Sequence, residues 1–197
     1  MLIVRNDPLA VETDLAAGHL TCPSCTTGVL ARWGFARRRF LRDGAELRPR
    51  RGICPKKERG CGSTHVLLPD VFFVRRIDPA EVIGQALWAV FVEGEHHEDA
   101  AARLGVPHDT VIGWLRRFRR EALRIAAHFT RWLLALDPGR TAPEPVGSEA
   151  ANAVERIAAA AQAASLRRGV RPVWSWASAL SAGKLLSNTS SPWPGPD

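Results

Sequence analysis

Apolar residues first recur at helical spacing in the segment that begins near Asp78. Asp78 is in position to be the N-cap, Pro79 falls in the first turn, where no backbone donor is missed, and Glu81 stands at the capping-box position. The apolar residues that predict one buried helix face are Val82, Ile83, Ala86, Leu87, Val90 and Phe91. Gly94 is expected to end this supporting core helix.

Residues 97–116 carry the apolar pattern that two short helices crossing at a steep angle require. Ala101 is small where the helices approach each other, Gly105 stands where the turn needs left-handed backbone, and Pro107 is near the start of the second helix. The residues expected to fill the space between the helices and extend the stripe are Leu104, Val106, Val111, Trp114, Leu115 and Phe118. The pattern predicts a helix-turn-helix.

A further helix is predicted from Ser148 to about Arg168, with Gly169 as its stop. It is rich in Ala, and its apolar stripe consists of Val154, Ile157, Ala161 and Ala164. The Pro/Gly-rich segment 137–147 before it is expected to be a linker. Ser and Pro dominate residues 187–197, which are expected to be a disordered tail.

The pattern before residue 70 is different and favours short strands. Val29–Arg42 and Ala45–Ile53 flank Asp43-Gly44, a dipeptide suited to a two-residue hairpin turn, and a third strand is predicted at Thr64–Leu68.

All four cysteines lie in or beside these strands. Cys22 and Cys25 have the two-residue spacing that lets both thiolates of one tight turn reach a single tetrahedral Zn²⁺. Cys54 and Cys61 are separated by six residues instead of the usual two to four, and His65 is the reserve ligand if Cys54 does not bind. The alternative is four reduced cysteines without a metal ion. Two cysteine turns around a hairpin predict a zinc ribbon, whose small core would depend on bound Zn²⁺ for its folding.

These elements predict an α+β protein with a small N-terminal zinc ribbon, a mainly helical helix-turn-helix module and an Ala-rich C-terminal helix. The predicted segments are an N-terminal arm (1–20), the zinc ribbon (21–68), the helix-turn-helix module (78–136), the linker (137–147), a C-terminal helical segment (148–186) and the tail (187–197).

The charge of the chain indicates a polyanionic partner. The 197-residue chain has a formal net charge of +7 and a pI near 10.2. Eleven Arg or Lys stand against three acidic residues between Arg32 and Arg59, and five Arg against one Glu between Trp114 and Arg124. A charge run is often only a solvated face. Here, however, both clusters fall on segments with independent signs of nucleic-acid binding, which favours double-stranded DNA as partner.

In a helix-turn-helix the start of the second helix enters the major groove. The predicted DNA-contacting residues on this helix are His108, Asp109, Thr110, Ile112, Gly113, Arg116, Arg117, Arg119 and Arg120. The later arginines are expected to meet phosphates. On the hairpin, the predicted phosphate contacts are Arg37, Arg39, Arg48 and Arg50. Trp33, Phe35 and Phe40 either stack on bases or, as the more frequent use, cover the thin ribbon core.

His96 and His97 stand beside Glu95, Glu98 and Asp99, a composition that superficially suggests a metal site. A solvated helix entry explains it better, because acidic side chains are favourable near a helix N-terminus.

The order of the motifs resembles a known arrangement. From about Cys22 to Ala122 the chain carries Cys-Pro-x-Cys, the Arg-rich hairpin, Cys-Gly-x-Thr-His-Val-Leu-Leu-Pro, Ala-Ala-Arg-Leu-Gly-Val-Pro and Trp-Leu-Arg-Arg-Phe-Arg. A further short motif, Leu185–Thr189, follows near the end. This order resembles a bacterial family of unknown function, similar to the zinc-ribbon and helix-turn-helix part of insertion-sequence transposases. The resemblance implies DNA binding without an established activity. The chain departs from the pattern at Cys54–Cys61, where the family has a two-residue gap.

We expect a non-enzymatic DNA-binding protein, either a regulator or a protein associated with a mobile element. One alternative is a fragment or accessory subunit of a transposase or recombinase, but after residue 125 the few acidic residues offer no two-metal nuclease site. The other is a zinc-ribbon adaptor that binds protein or RNA. A homodimer and a transposase remain open as protein partners, and no small-molecule substrate is expected. The longest apolar run, Ala86–Val92, is too short to span a membrane, so we expect a cytoplasmic, nucleoid-associated protein.

Overall fold

The computed structural model describes residues 1–58, 60–145, 147–187 and 193–196. Over these ranges the chain is an α+β protein with six α-helices and a four-stranded mixed sheet, which confirms the predicted fold class. It divides into two compact units, Met1–Phe72 and Phe73–Asp197. None of the described helices is long and apolar enough to cross a membrane.

The first unit contains the strands and one helix. Its elements are β1 (Leu2–Val4), α1 (Pro8–Ala17), β2 (Ala31–Phe35), β3 (Arg39–Phe40), β4 (Glu46–Leu47), β5 (Arg50–Ile53), a 3-10 turn (Lys56–Glu58) and β6 (Thr64–Pro69). The main sheet has the order β1, β6, β5, β2, in which only the β1–β6 pair is parallel. The predicted third strand is therefore present as β6, and β3 and β4 form a separate two-stranded ladder.

Residues 2–17, predicted as part of an N-terminal arm, belong to the core of the first unit. The Asp7 carboxylate accepts the Ala10 N–H at 3.0 Å and Pro8 occupies the first turn, which starts α1. Gly18, with φ of +73°, ends it. The buried residues of this core are Val4, Val11, Leu15, Cys22, Leu30, Cys54 and Leu67. The segment was underestimated because its burial depends on strand pairing with β6, which is distant in sequence.

The predicted hairpin strands are each broken into two. β2 pairs with β5 and β3 with β4, and a β-bulge lies between Arg32 and Gly34. The predicted two-residue turn at Asp43-Gly44 is wrong. The Leu41 N–H donates to the Ala45 carbonyl at 2.9 Å and Gly44 has φ of +82°, so the loop has three residues with a left-handed glycine at its end.

The second unit is helical. Its helices are α2 (Ala80–Phe91), α3 (His97–Leu104), α4 (His108–Leu136), α5 (Glu149–Arg168) and α6 (Val173–Leu180). All five contribute to one hydrophobic core, in which α4 packs along α5. The prediction of a short second helix after Gly105 is wrong in length, because α4 runs for 29 residues and buries apolar side chains from Val111 to Leu136.

The supporting helix, α2, starts one residue later than the sequence predicted. α2 begins at Ala80 with Pro79 in the cap position and no side-chain capping bond. Asp78, the predicted N-cap, lies one residue before the cap position and is buried, with 2% of its surface exposed. The helix ends at Phe91, and Gly94, with φ of +75°, lies in the turn that follows.

The Ala-rich helix is confirmed as α5. Ser148 is its N-cap, accepting the Ala151 N–H at 3.2 Å, and Gly169 is its C-cap. The predicted apolar stripe is buried in the core. The described residues of the linker, 137–145 and 147, form neither helix nor strand.

Helix α6 lies within the predicted C-terminal helical segment (148–186), although it was not predicted as a separate helix, and it places Trp174 and Trp176 in the core. The Trp174 ring packs so closely on Gly84 that a Cβ there would lie 1.9 Å from it, and the Trp176 indole N–H donates to the Ser165 hydroxyl at 2.9 Å. The predicted disorder of 187–197 falls largely outside the described residues. Of that segment, Trp193 lies edge-on to the His128 ring.

Candidate metal centre and nucleic-acid interface

The first cysteine loop is a tight turn closed by backbone pairing. The Cys22 N–H donates to the Gly28 carbonyl at 2.7 Å, and the Leu30 N–H donates to the Leu20 carbonyl at 2.8 Å. Inside the loop, the Gly28 N–H points at the Cys25 sulfur at 3.4 Å. Cys22 is fully buried and Cys25 is half-buried. The loop therefore presents both sulfur atoms to the same side.

The second loop explains how a six-residue gap still forms a cysteine pair. The Cys54 N–H donates to the Ser63 carbonyl and the Gly62 N–H to the Cys54 carbonyl, both at 2.9 Å, so the base of the loop is closed between β5 and β6. Extra residues are taken up by the 3-10 turn at Lys56–Glu58. The chain then returns, and the Cys61 N–H approaches the Cys54 sulfur at 3.3 Å.

The two loops bring all four sulfur atoms within 4.8 Å of one another. The Cys22 and Cys61 sulfurs are 3.7 Å apart, and so are those of Cys25 and Cys54. An ion held tetrahedrally about 2.3 Å from each thiolate, as Zn²⁺ is, separates the sulfurs by about 3.8 Å. The cysteines are not paired in disulfides. The arrangement fits a tetrahedral metal ion, and Cys54 belongs to it.

The protein environment shifts the pKa values of the Cys25, Cys54 and Cys61 thiols. Backbone N–H bonds, above all that of Gly28, lower the pKa of the Cys25 thiol to about 6. Burial raises the pKa of the Cys54 thiol to about 11. Hydrogen bonds from Ser63 lower the pKa of the Cys61 thiol. Since a metal binds thiolates, the bound ion must displace the proton that Cys54 otherwise keeps.

His65 lies beside the cluster and is not one of its four members. Its side chain is 5% exposed, and its Nε2 atom is 3.3 Å from the Cys22 sulfur. Burial lowers the pKa of the His65 imidazole, which keeps the ring neutral. A neutral ring with its proton on Nε2 donates to the Cys22 sulfur, so the predicted reserve ligand supports a ligand instead of replacing Cys54.

Two glycines allow the loops to close on each other, and the sequence analysis did not single them out. A Cβ on Gly28 would lie 2.3 Å from the Cys54 sulfur, and one on Gly60 would lie 2.7 Å from the same atom. Both distances are far below ordinary contact, so neither position accepts a side chain without moving Cys54. Their signal in the sequence was only a glycine three residues after Cys25 and one before Cys61.

The first unit presents an exposed surface of aromatic and basic side chains. Trp33, Phe35 and Phe40 are 56%, 53% and 62% exposed, so the alternative that they cover the ribbon core is wrong. Of the predicted phosphate contacts, Arg37, Arg39 and Arg48 are exposed.

Arg50 is the exception among the predicted hairpin arginines. Its guanidinium forms an ion pair with Glu12 and donates to the Gly34 carbonyl at 2.7 Å. The guanidinium also lies 4.7 Å from the centre of the Phe35 ring. These bonds hold Arg50 within the fold, away from a ligand.

In the second unit, α3 and α4 are joined by a three-residue turn. Gly105 has φ of +63° and ends α3, and the Val106 N–H donates to the Ala101 carbonyl at 3.1 Å. Val106 and Ala101 are buried, as the sequence pattern predicted. The turn therefore fixes the start of α4 against the end of α3.

The first turns of α4 place most of the predicted DNA-contacting residues at the surface. Asp109, Gly113, Arg116, Arg119 and Arg120 are exposed, and His108, Thr110, Ile112 and Arg117 are half-buried. Three of the arginines already contact other groups of the second unit, and one of them, Arg119, lies with its guanidinium 5.3 Å from the centre of the Phe91 ring. Arg117 donates to the Leu186 carbonyl at 3.2 Å, and Arg120 lies 3.3 Å from the Glu121 carboxylate.

Comparison of the chain with models of protein families, with curated proteins and with solved structures gave no match. The resemblance to the transposase-related family therefore remains a prediction from the motifs.

Proposed function

We propose that this chain is a non-enzymatic protein that binds double-stranded DNA through α3 and α4, assisted by a basic zinc ribbon in the first unit. The observation that carries the proposal is the start of α4. It is fixed by the Gly105 turn, and it faces outward with Asp109, Gly113 and Arg116, followed by Arg119 and Arg120. In a helix-turn-helix these are the positions that contact base edges and phosphates.

We propose Zn²⁺ as the ion of the Cys22, Cys25, Cys54 and Cys61 cluster. Four thiolates at tetrahedral separation favour zinc or an iron–sulfur centre over harder cations. Four ligands from two hairpin-like loops leave no open coordination position for a substrate, which is typical of a structural zinc site.

The exposed aromatic side chains of Trp33, Phe35 and Phe40 support a contribution of the ribbon to DNA binding. The Arg48 guanidinium lies 5.0 Å from the centre of the Phe35 ring, and Arg37 and Arg39 are exposed on the segment between Phe35 and Phe40. Guanidinium groups suit phosphates. Arg50 and Arg117 are left out of the proposed interface because backbone carbonyls already hold them.

Few of the proposed contacts on α4 are suited to reading bases. Among the arginines only Arg116 lies near enough to the start of the helix for its forked donor to reach guanine. Arg119 and Arg120 lie further along the helix and suit phosphates. The base specificity of α4 alone is therefore expected to be modest, with the ribbon or a second protomer adding to it.

Salt dependence of DNA binding tests the proposal. Each phosphate contact adds about 0.9 to the magnitude of the slope of log K against log salt. Arg119→Ala is therefore expected to weaken DNA binding and to reduce the magnitude of this slope by about 0.9. Arg167→Ala removes the same charge from an exposed position on α5 and should change neither. Binding that is insensitive to salt, or equal losses in both variants, would contradict the proposal.

Selection of sites from random duplex DNA separates the remaining roles. Enrichment of a short motif supports a regulator, and uniform salt-sensitive binding supports a role with a mobile element. If the zinc-loaded protein binds no DNA, the adaptor function for protein or RNA becomes the better explanation.

A further inference from the structure

The fold brings together two histidines that are eleven residues apart in sequence. His97 is the first residue of α3 and His108 is the first residue of α4. The Nδ1 atom of His97 and the Nε2 atom of His108 are 2.8 Å apart. The Glu98 carboxylate completes the group, in which one donor atom of each residue lies within 4.8 Å of the others.

We propose that His97, Glu98 and His108 form a second metal site, which binds a divalent transition-metal ion such as Zn²⁺ or Ni²⁺. Imidazole nitrogens with one carboxylate suit these ions. The expectation of a merely solvated helix entry was made from His96, His97 and the nearby acids, and it did not include His108.

The distances allow such an ion after a small adjustment. Two imidazole nitrogens bound about 2.1 Å from one ion are separated by about 3.0 to 3.4 Å, depending on the geometry. The present 2.8 Å is that of a hydrogen bond between the rings, so the rings must open by a few tenths of an ångström. Both rings are half-buried. The Glu98 side chain is 66% exposed and lies 3.9 Å from the His96 ring, a weak surface contact that it would give up to bind the ion. Water would fill the remaining positions of the ion.

The charges at this corner of the second unit nearly cancel, so the proposal is carried by the geometry of the three side chains. Both helices begin here, and the positive ends of their dipoles disfavour a bound cation. Arg116 and Arg119, which line the same cavity as His97, also disfavour a cation. Three exposed carboxylates in the first turns of the two helices oppose them. These belong to Glu98, Asp99 and Asp109. A bound ion would link the start of α3 to the start of α4 across the Gly105 turn.

Uptake of Ni²⁺ by the full chain, with the four-cysteine cluster already loaded with Zn²⁺, tests the site without DNA. Calorimetric titration and elemental analysis are expected to show one Ni²⁺ per chain with the zinc retained. His97→Gln and His108→Gln should each weaken Ni²⁺ binding by at least about tenfold, since loss of a supporting group alone costs that much at known sites. Glu98→Gln should weaken it in the same direction.

His19→Gln is the matched control, because His19 is an exposed histidine beside Asp14 in the first unit. It should leave the uptake unchanged. Circular dichroism and zinc content verify that each variant is folded. The proposal is overturned if the wild-type chain retains no Ni²⁺, or if the His97→Gln/His108→Gln double variant binds it as the wild type does. Because no DNA is present, either result leaves the proposed DNA binding untouched.

Discussion

At the scale of single residues, the four cysteine sulfurs determine whether the first unit holds an ion. Cys54→Ser replaces a fully buried sulfur that lies 3.7 Å from the Cys25 sulfur. We expect the purified variant to lose bound zinc and the first unit to unfold, because the metal free energy is part of the folding free energy of such a module. Cys22→Ser should behave in the same way. Zinc content and thermal unfolding measure both effects.

Ser24→Ala is the control for these variants. Ser24 is exposed in the same loop, and the group that approaches the Cys22 sulfur is its backbone N–H, which alanine retains. The variant should keep its zinc. Full zinc content and an intact fold in both Cys22→Ser and Cys54→Ser would show that the ligand set is wrong.

His128 makes the stability of the second unit depend on pH. The ring is 2% exposed and its Nε2–H donates to the Leu180 carbonyl at 3.0 Å. Burial, joined by the charges of Arg131 and Arg124, lowers the pKa of this imidazole to about 4 from the ordinary 6.5. Below pH 6.5 the unfolded chain therefore binds a proton that the folded chain refuses. Stability falls as the pH falls toward 4, by about 3 kcal/mol in total, and is fully present above 6.5.

His128→Gln removes the titrating ring and leaves an N–H that can donate to Leu180. Denaturant unfolding between pH 7 and 4 should give a flatter dependence for this variant than for the wild type. The slopes are compared, not the absolute stabilities, since the new side chain also changes the packing. His19→Gln, at an exposed position, should leave the wild-type slope in place. If His128→Gln has that same slope, His128 is not the cause.

At the scale of helices, two glycines with opposite surroundings predict opposite effects. A Cβ on Gly84 in α2 would lie 1.9 Å from the buried Trp174 ring, whereas one on Gly113 in α4 meets nothing within 4 Å. We expect Gly84→Ala to destabilise the second unit by about 1 to 3 kcal/mol because the helices must separate. Gly113→Ala should stabilise it by up to about 1 kcal/mol through helix propensity. Chemical denaturation measures both. A stabilising Gly84→Ala would contradict the close packing of α2 on Trp174.

The elements that the sequence predicted correctly are those whose signals are local. Helix α5 was found with both ends because Ser148, the apolar stripe and Gly169 lie within one stretch of chain. The predicted start of α2 is one residue early, since Pro79 and not Asp78 occupies the cap position. The predicted hairpin strands are too long because their pairing depends on residues far away in sequence. Strand β5 pairs with β6 as well as with β2, and the bulge at Arg32 has no signal of its own.

The candidate sites also divide into parts with a local sequence signal and parts that depend on long-range contacts. The spacing of Cys22 and Cys25 was enough to predict one half of the metal site, and the closure of the second loop was needed to place Cys54 in it. The exposure of Trp33 could not be predicted, since an aromatic residue in a strand usually faces a core. His97 and His108 come together only through the turn at Gly105. The composition around His97 alone therefore predicted a solvated helix entry and not a metal site.

At the scale of the whole molecule, the chain has two hydrophobic cores that share no described residue. One contains Cys22 and Cys54 among a few apolar side chains of the first unit, and the other joins the five helices of the second. The first core is too small for a stable fold on hydrophobic burial alone, whereas the second is not. The stabilities of the two units should therefore depend differently on bound metal.

Removal of zinc by a strong chelator under reducing conditions tests this difference. We expect the first unit to unfold, with loss of hydrogen-exchange protection in β5 and β6, because their ends carry Cys54 and close the second cysteine loop. Protection in α4 and α5 should persist, since their apolar faces are buried against each other and no cysteine belongs to that core. Most of the helical circular dichroism should also remain, because α1 is the only described α-helix in the first unit. Cys54→Ser should reproduce the pattern without a chelator. Loss of protection in both units together would show that they fold as one cooperative body, and full protection after verified zinc removal would show that the first unit does not need the ion.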